Sequence, residues 1–382
     1  MYDVVVVGAG PSGSTAAREC AKRGLTTLCI EEHGTIGHPV QCAGLLSLAA
    51  WQECGVSQKS VLHEIRGARF VTSAGDVHTL DAGVPKACVV DRGILDREIA
   101  ASALAAGADL RLKTYVQRIS PSGGLITTGV HGREEVQTRL IIAADGVRSG
   151  IARLQGFPRS PVLLTGLQAE IRWEMDPGYV EVHPHASPDF FGWVIPAGKN
   201  RARVGLCGTK EVQNRFDRFL CRYPTPCTHH VTGAIPLGVM PRTYGKRTLY
   251  VGDAAGLVKP TSGGGVYTGV RSARHAADVA AICCERDRFD DGALSLYEQR
   301  WKKDFGRELR LGFRLFQLRG SLTPEEVDRL LSVLDDPSLL DSIKTYGDMD
   351  RPRRLFLQLA KKPAFYPLLR LLVQKGLHQI LR

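Results

Sequence analysis

Two glycine-rich segments, one aspartate and one early glutamate are the residues of this 382-residue chain best suited to chemistry. The first segment, Gly8-Ala9-Gly10-Pro11-Ser12-Gly13, follows an apolar run and precedes a stretch of helix-forming residues. There Gly8 permits a tight turn, Gly10 leaves room for a pyrophosphate, and Gly13 lets helix and strand pack closely. Glu31 stands 23 positions beyond Gly8, where a carboxylate accepts hydrogen bonds from an adenosine ribose. The second segment is Gly252-Asp253-Ala254-Ala255-Gly256, followed by Lys259-Pro260-Thr261-Ser262-Gly263-Gly264-Gly265-Val266. A strand delivers Asp253, and the glycine turn then opens a helix. An aspartate so placed reaches a ribityl chain, and the helix N-terminus faces the ring or pyrophosphate of a flavin. Arg92, at a predicted helix start, can neutralise phosphate. Asp145-Gly146 ends a buried strand, where the aspartate is either part of the nucleotide site or a turn former. Together these segments predict FAD rather than NAD.

These groups need a scaffold, and the hydrophobic pattern supplies one. Residues 2–7 read as a buried parallel strand, 11–23 as a helix and 25–30 as a second strand, making a β-α-β opening. Residues 94–106 read as a helix, 109–119 as a strand, and 140–144 and 248–251 as two more buried strands. Between 162 and 208 the texture alternates and is broken by Pro and Gly, which predicts an antiparallel sheet. The expected plan is α/β (α+β overall). A Rossmann-type FAD-binding domain (residues 1–157 and 241–292) is interrupted by an antiparallel substrate domain (158–240), and a helical region (293–382) follows. In that last part, Thr323-Pro324-Glu325-Glu326 reads as an N-cap, a first-turn proline and a capping-box glutamate.

Composition excludes some classes. Hydrophobic content of 43% and charged content of 23% are those of an ordinary globular protein. The first strand begins at Tyr2, so a signal peptide is not expected, and no apolar run is long enough to span a bilayer. The ten cysteines show no Cys-x-x-Cys pairing, which predicts reduced thiols in a cytoplasm and no metal site. The net charge of +11 is concentrated in residues 351–382, which hold eight basic residues and no acidic one. Their leucines and aromatics argue against nucleic acid. Residues 367–381 suit a basic amphipathic helix, either lying on an anionic membrane surface or docked on the body with a solvated basic face.

Two more segments narrow the chemistry. One is Gly37-His38-Pro39-Val40-Gln41-Cys42-Ala43-Gly44-Leu45; the other is Phe190-Phe191-Gly192-Trp193-Val194-Ile195-Pro196, with Ala202-Arg203-Val204-Gly205-Leu206 after it. With the glycine segments, they make the chain resemble the geranylgeranyl reductases, above all the archaeal enzymes of ether-lipid synthesis, within the p-hydroxybenzoate-hydroxylase-like FAD proteins. That family has a cysteine near the flavin at the position of Cys42 and lines its cavity with a Tyr-x-Trp-x-Phe-Pro motif. Here Trp193 and Pro196 match, while Phe191 and Ile195 replace the family Tyr and Phe.

The resemblance implies FAD contacts at Ser14, Glu31, Cys42, Ala43, Arg92, Val116, Asp253, Gly264, Gly265 and Val266. It also implies a prenylated lipid substrate and an enzyme peripheral on the inner face of the membrane. An isolated alkene takes a hydride from flavin N5 at one carbon and a proton at the other. The aromatic face of Trp193 suits the positive charge that develops between them, with Phe191 beside it. Cys42 either positions the flavin, supplies the proton, or is a small apolar filler. Only one complete glycine fingerprint is present, so an external donor is expected: ferredoxin, a reduced deazaflavin or transiently bound NAD(P)H. Flavin-dependent halogenases carry a similar Trp-x-Trp-x-Ile-Pro motif but need a lysine near the substrate. Aromatic hydroxylases, quinone oxidoreductases and prenyl-binding escort proteins share the expected fold.

Overall fold

The computed structural model describes residues 1–120, 123–130 and 132–380. Its centre is a six-stranded sheet in the order Tyr244–Gly245, Thr248–Tyr250, Thr138–Ala143, Tyr2–Val7, Thr27–Ile30 and Asp109–Arg111. All neighbours are parallel except the first pair. The inner strands are continuous runs of Val, Ile and Leu because both faces are covered. Helix Pro11–Lys22 crosses from the first strand to the second and packs on helix Val266–Glu285. Both present small buried residues (Ala16, Ala17 and Cys20; Ala273, Ala276 and Ala277), which lets the two backbones approach closely.

A seven-stranded sheet follows the order Cys227–Leu237, Val162–Ile171, Arg201–Gly208, Gly192–Gly198, Tyr179–His183, Gly67–Val71 and Val77–Asp81. It is antiparallel except where Tyr179–His183 runs alongside Gly67–Val71. The last two strands come from outside residues 158–240, so the substrate-side sheet is wider than the sequence pattern predicts. The strand expected over 109–119 is two strands. Asp109–Arg111 ends the parallel sheet, and after a turn Tyr115–Ile119 joins Leu125–Gly129 and Gly132–Val136 in a small separate sheet. Lys113, at φ 50°, makes that break.

Helices make up the chain from Asp291 onward, with a π-helical turn at Lys302–Gly306. Thr323, Pro324 and Glu326 form the predicted capping box. The last helix, Tyr366–Ile380, covers all but the end of the expected 367–381 segment; Leu381 and Arg382 lie outside the described residues. That helix is docked, since Lys375 pairs with Glu326 at 2.8 Å and donates to Ser321 O. Among the described residues no helix is long and apolar enough to cross a membrane.

Candidate functional site

Parallel strands deliver their C-terminal ends to one edge of the sheet, and four of the predicted segments meet there. Backbone bonds keep those ends level: Gly8 N to Ile30 O at 2.7 Å, Ala144 N to Val7 O at 2.8 Å and Val251 N to Ala143 O at 3.0 Å. Gly8 has φ +98°, and a Cβ there would lie 2.4 Å from Ala144 O. At Gly13 a Cβ would lie 1.8 Å from Gly8 O, so the helix rests on the turn itself. Gly10 is different, because a Cβ there would meet nothing within 4 Å. Two of the glycines are therefore steric necessities of the fold, while the third borders open space beside a helix N-terminus, which is what a pyrophosphate requires.

The later glycine segment is brought to the same place by Ser12. Its Oγ passes between Gly252 and Gly269, where a Cβ would approach it to 2.5 and 2.3 Å respectively. Gly265 in turn leaves room for Asp253, whose Oδ1 would be 2.5 Å from a Cβ at that position. Burial raises the pKa of Asp253 and Arg92 lowers it in part, with a net upward shift. A carboxylate set beside two glycines suits the hydroxyls of a ribityl chain. Glu31 accepts from Ala9 N at 2.8 Å and from His33 N at 2.9 Å, so it is anchored on the first glycine turn.

Arg92 is the electrostatic centre of this edge. It is the first residue of helix Arg92–Ala105 and pairs bidentately with Asp96, with both N–O distances at 3.0 Å. Burial works against its charge, but Asp96 and then Cys42 outweigh that and hold the guanidinium firmly protonated. Asp96 is its direct partner, and its charge is also felt at Cys42 and Asp253. The Cys42 loop is fixed from both sides. Cys42 Sγ accepts from Gly44 N at 3.3 Å, and Arg203, from the antiparallel sheet, donates to Ala43 O at 2.8 Å. Arg203 escaped the sequence reading, although a charged residue among Ala202, Val204 and Leu206 was its available signal.

Trp193 is anchored within the seven-stranded sheet. Its Nε1 donates to Gln168 Oε1 at 3.0 Å, and a Cβ at Gly205 would lie 2.5 Å from the indole. The indole and Ala43 pack against one buried cluster that includes Val89 and Ile195, and the indole meets Phe191 edge-on at 6.3 Å between ring centroids. Phe191 stacks on Phe190 at 4.4 Å, and Phe190 faces Phe316, which neighbours Phe313. Phe313 and Phe316 belong to helix Arg307–Arg319, far along the chain, and nothing in their spacing marked them. Gly263 touches this aromatic row, since a Cβ there would be 3.0 Å from Ile235 Cδ1 and 3.5 Å from Phe190.

Three further residues of the sequence reading have their side chains engaged within the protein. The Ser14 hydroxyl donates to Ala9 O at 2.9 Å and braces the turn, and the Val116 side chain is buried in the main core from the small separate sheet. Asp145 accepts from Ser149 Oγ and Ile151 N, so its carboxylate serves a local turn and helix start. Gly264 and Val266 stand in the glycine turn and at the first position of helix Val266–Glu285.

Comparison with known proteins agrees with this geometry. Residues 1–218 match the family described as FAD binding domain, and residues 227–335 match the one described as lycopene cyclase protein. Digeranylgeranylglycerophospholipid reductase 2 of Methanothermobacter thermautotrophicus is 33% identical over 92% of this chain and 98% of its own. The chain belongs to this reductase family. A geranylgeranyl bacteriochlorophyll reductase-like protein from Thermoplasma acidophilum superposes with a TM-score of 0.83 at 27% identity, covering 94% of this chain and 98% of that one. A flavin-dependent brominase shares the fold alone, with a TM-score of 0.71 at 16% identity over 90% of this chain and 92% of its own. FAD is therefore the cofactor of this oxidoreductase.

The glycines separate fold from function. Gly13→Ala will destabilise the apoprotein by about 1–3 kcal/mol in urea unfolding, whereas Gly10→Ala will change it by less than about 0.5 kcal/mol yet weaken FAD binding in fluorescence titration. For Asp253, a carboxyl with a raised folded-state pKa favours the fold when protonated, and that contribution is lost as pH rises. Asp253→Asn will therefore make the apoprotein more stable at neutral pH, with the difference closing as pH falls through the carboxylate range. The same variant will bind FAD roughly tenfold or more weakly, the scale of one hydrogen bond to a charged group.

Proposed function

We propose that the protein reduces isolated C=C bonds in the geranylgeranyl chains of membrane ether lipids or their precursors. The observation that carries this reading is the aromatic row, an apolar path running from helix Arg307–Arg319 through Phe190 and Phe191 to Trp193 and Ala43. It meets the edge at which Cys42, Arg92, Asp253 and the glycine turn converge. An isoprenoid chain has no polar handle, so its placement depends on such a path.

When bound, the flavin would supply the hydride for one alkene carbon. Gly10, Glu31, Asp253 and residues 264–266 hold the cofactor against the sheet edge. Trp193, fixed by Gln168 and seated over Gly205, presents an aromatic face to the carbon on which positive charge develops. Phe191 and Phe190 keep water from that carbon. Cys42 Sγ delivers the proton. Arg203 keeps the loop in place while this happens. Turnover would require an external donor such as ferredoxin, a reduced deazaflavin or NAD(P)H.

A lipid substrate supports a position at the inner face of a membrane. Leu357, Tyr366 and Val373 are 46%, 52% and 52% exposed, and exposed Arg353, Arg354, Lys361 and Arg370 stand among them. An apolar face ringed by cations fits the surface of an anionic bilayer.

When the dithionite-reduced protein meets geranylgeranylated glycerophospholipid without oxygen, mass spectrometry will show one H₂ gained per alkene reduced. No gain with any prenyl lipid sinks the assignment. Cys42→Ala will lower this rate by roughly 10²-fold or more, the scale of general acid catalysis, while leaving flavin content unchanged. Replacing Arg353, Arg354, Lys361 and Arg370 together by Glu will abolish sedimentation with anionic vesicles and spare turnover of detergent-dispersed substrate. Undiminished sedimentation rules out this membrane face.

A further inference from the structure

The glycine turn carries a buried charge that neither cofactor binding nor the aromatic row explains. Lys259 is only 8% exposed. Its main chain closes the turn, with Lys259 N donating to Gly264 O at 3.1 Å and Gly263 N donating to Lys259 O at 2.8 Å. Its side chain then folds behind the same turn. A Cβ at Gly264 would lie 2.9 Å from Lys259 Cε and 3.3 Å from Nζ.

The ammonium is held by residues from far away in sequence. Nζ lies 2.5 Å from Asp350 Oδ1 and donates to Met349 O at 3.2 Å. Asp350 is 3% exposed, and its other oxygen accepts from Ser47 Oγ. Ser47 caps helix Leu48–Cys54, just beyond the Cys42 loop. One buried pair thus joins the glycine turn, the Cys42 loop and the C-terminal helices. Desolvation makes such a pair a poor source of stability, because well-packed apolar residues do as well or better. What an apolar pair lacks is a field. The lysine is also closer to Gly264 than the carboxylate is, so the pair presents its positive end to the turn.

We propose that Lys259 is an electrostatic positioning residue for the bound FAD. It places positive potential behind the turn at residues 263–265 and favours the reduced cofactor, and Asp350 sets how much of that potential is felt. Two-electron reduction adds negative charge to the isoalloxazine, so a cation held in a low-dielectric site beside it raises the midpoint potential. This rests on the reading that the turn borders the flavin. The Asp350 side of the device comes from the helical region proposed to meet the membrane.

The test is an anaerobic redox-dye titration of full-length holoprotein. Lys259→Met will lower the flavin midpoint potential and Asp350→Asn will raise it. A purely structural pair would shift both in the same direction or neither, and either result overturns the proposal. Where a single variant leaves a buried charge alone and fails to fold, two others decide. Lys259→Arg will keep the potential near wild type. The double variant Lys259→Met/Asp350→Leu will melt near the wild-type temperature but with a lowered potential; an unchanged potential in that folded double variant is also fatal. Wild-type protein that takes up no flavin would instead defeat the cofactor-site reading on which the proposal stands.

Discussion

At the edge of the parallel sheet, main chain must approach main chain more closely than any side chain permits, and the remaining geometry depends on that approach. The helix carrying Gly13 rests on the carbonyl of Gly8, and Gly8 rests on Ala144. Ser12 fills the space between Gly252 and Gly269, and Gly265 yields to Asp253. Five glycines from two distant parts of the chain thereby bring two turns and two helix N-termini together. A methyl group at one of these contacts would move a whole element, because close-packed interiors transmit strain instead of absorbing it. Gly10 is the exception that gives the crowding its purpose, since its space is left open.

Crowding at that edge forces charges into a low-dielectric setting, where each must be answered. Arg92 pairs with Asp96 and is felt at Cys42 and Asp253, and Lys259 is answered by Asp350. Such pairs gain little stability after desolvation. The apolar side of the site follows the opposite rule. Trp193 needs a single polar anchor in Gln168, and from there the row of Phe191, Phe190, Phe316 and Phe313 offers only ring faces and edges. An electrostatic site and an apolar path meeting at one loop is the arrangement that hydride delivery to an unactivated alkene requires.

Much of this was legible in the residue pattern. The β-α-β opening, the return of parallel strands near 248 and the antiparallel texture after 162 follow from runs and alternations whose period is local. The roles of Gly8, Gly10 and Gly13 could be read because a glycine fingerprint is a local steric device. Less visible was the hairpin Gly67–Val71 and Val77–Asp81, which joins the large sheet only through the pairing of Gly67–Val71 with Tyr179–His183, more than a hundred residues away. The break near Lys113 was hidden as well, because both halves have strand-like composition while only their pairing partners differ.

What the sequence determined by itself was the chemistry on offer: a dinucleotide fold, an aspartate beside a glycine turn, a cysteine loop, a tryptophan motif and a basic tail. These depend on short-range spacing, which the chain carries directly. The tertiary structure alone decided which groups share a field and which share a surface. It placed Arg92 against Cys42 and Asp253, clamped the Cys42 loop with Arg203, completed the aromatic row with Phe313 and Phe316, and buried Asp350 against Lys259. Each of these contacts joins residues that no periodicity relates, because it arises where separate elements dock. Electrostatic energy and packing depend on distance in space, and that distance exists only once the sheets and helices have closed around the site.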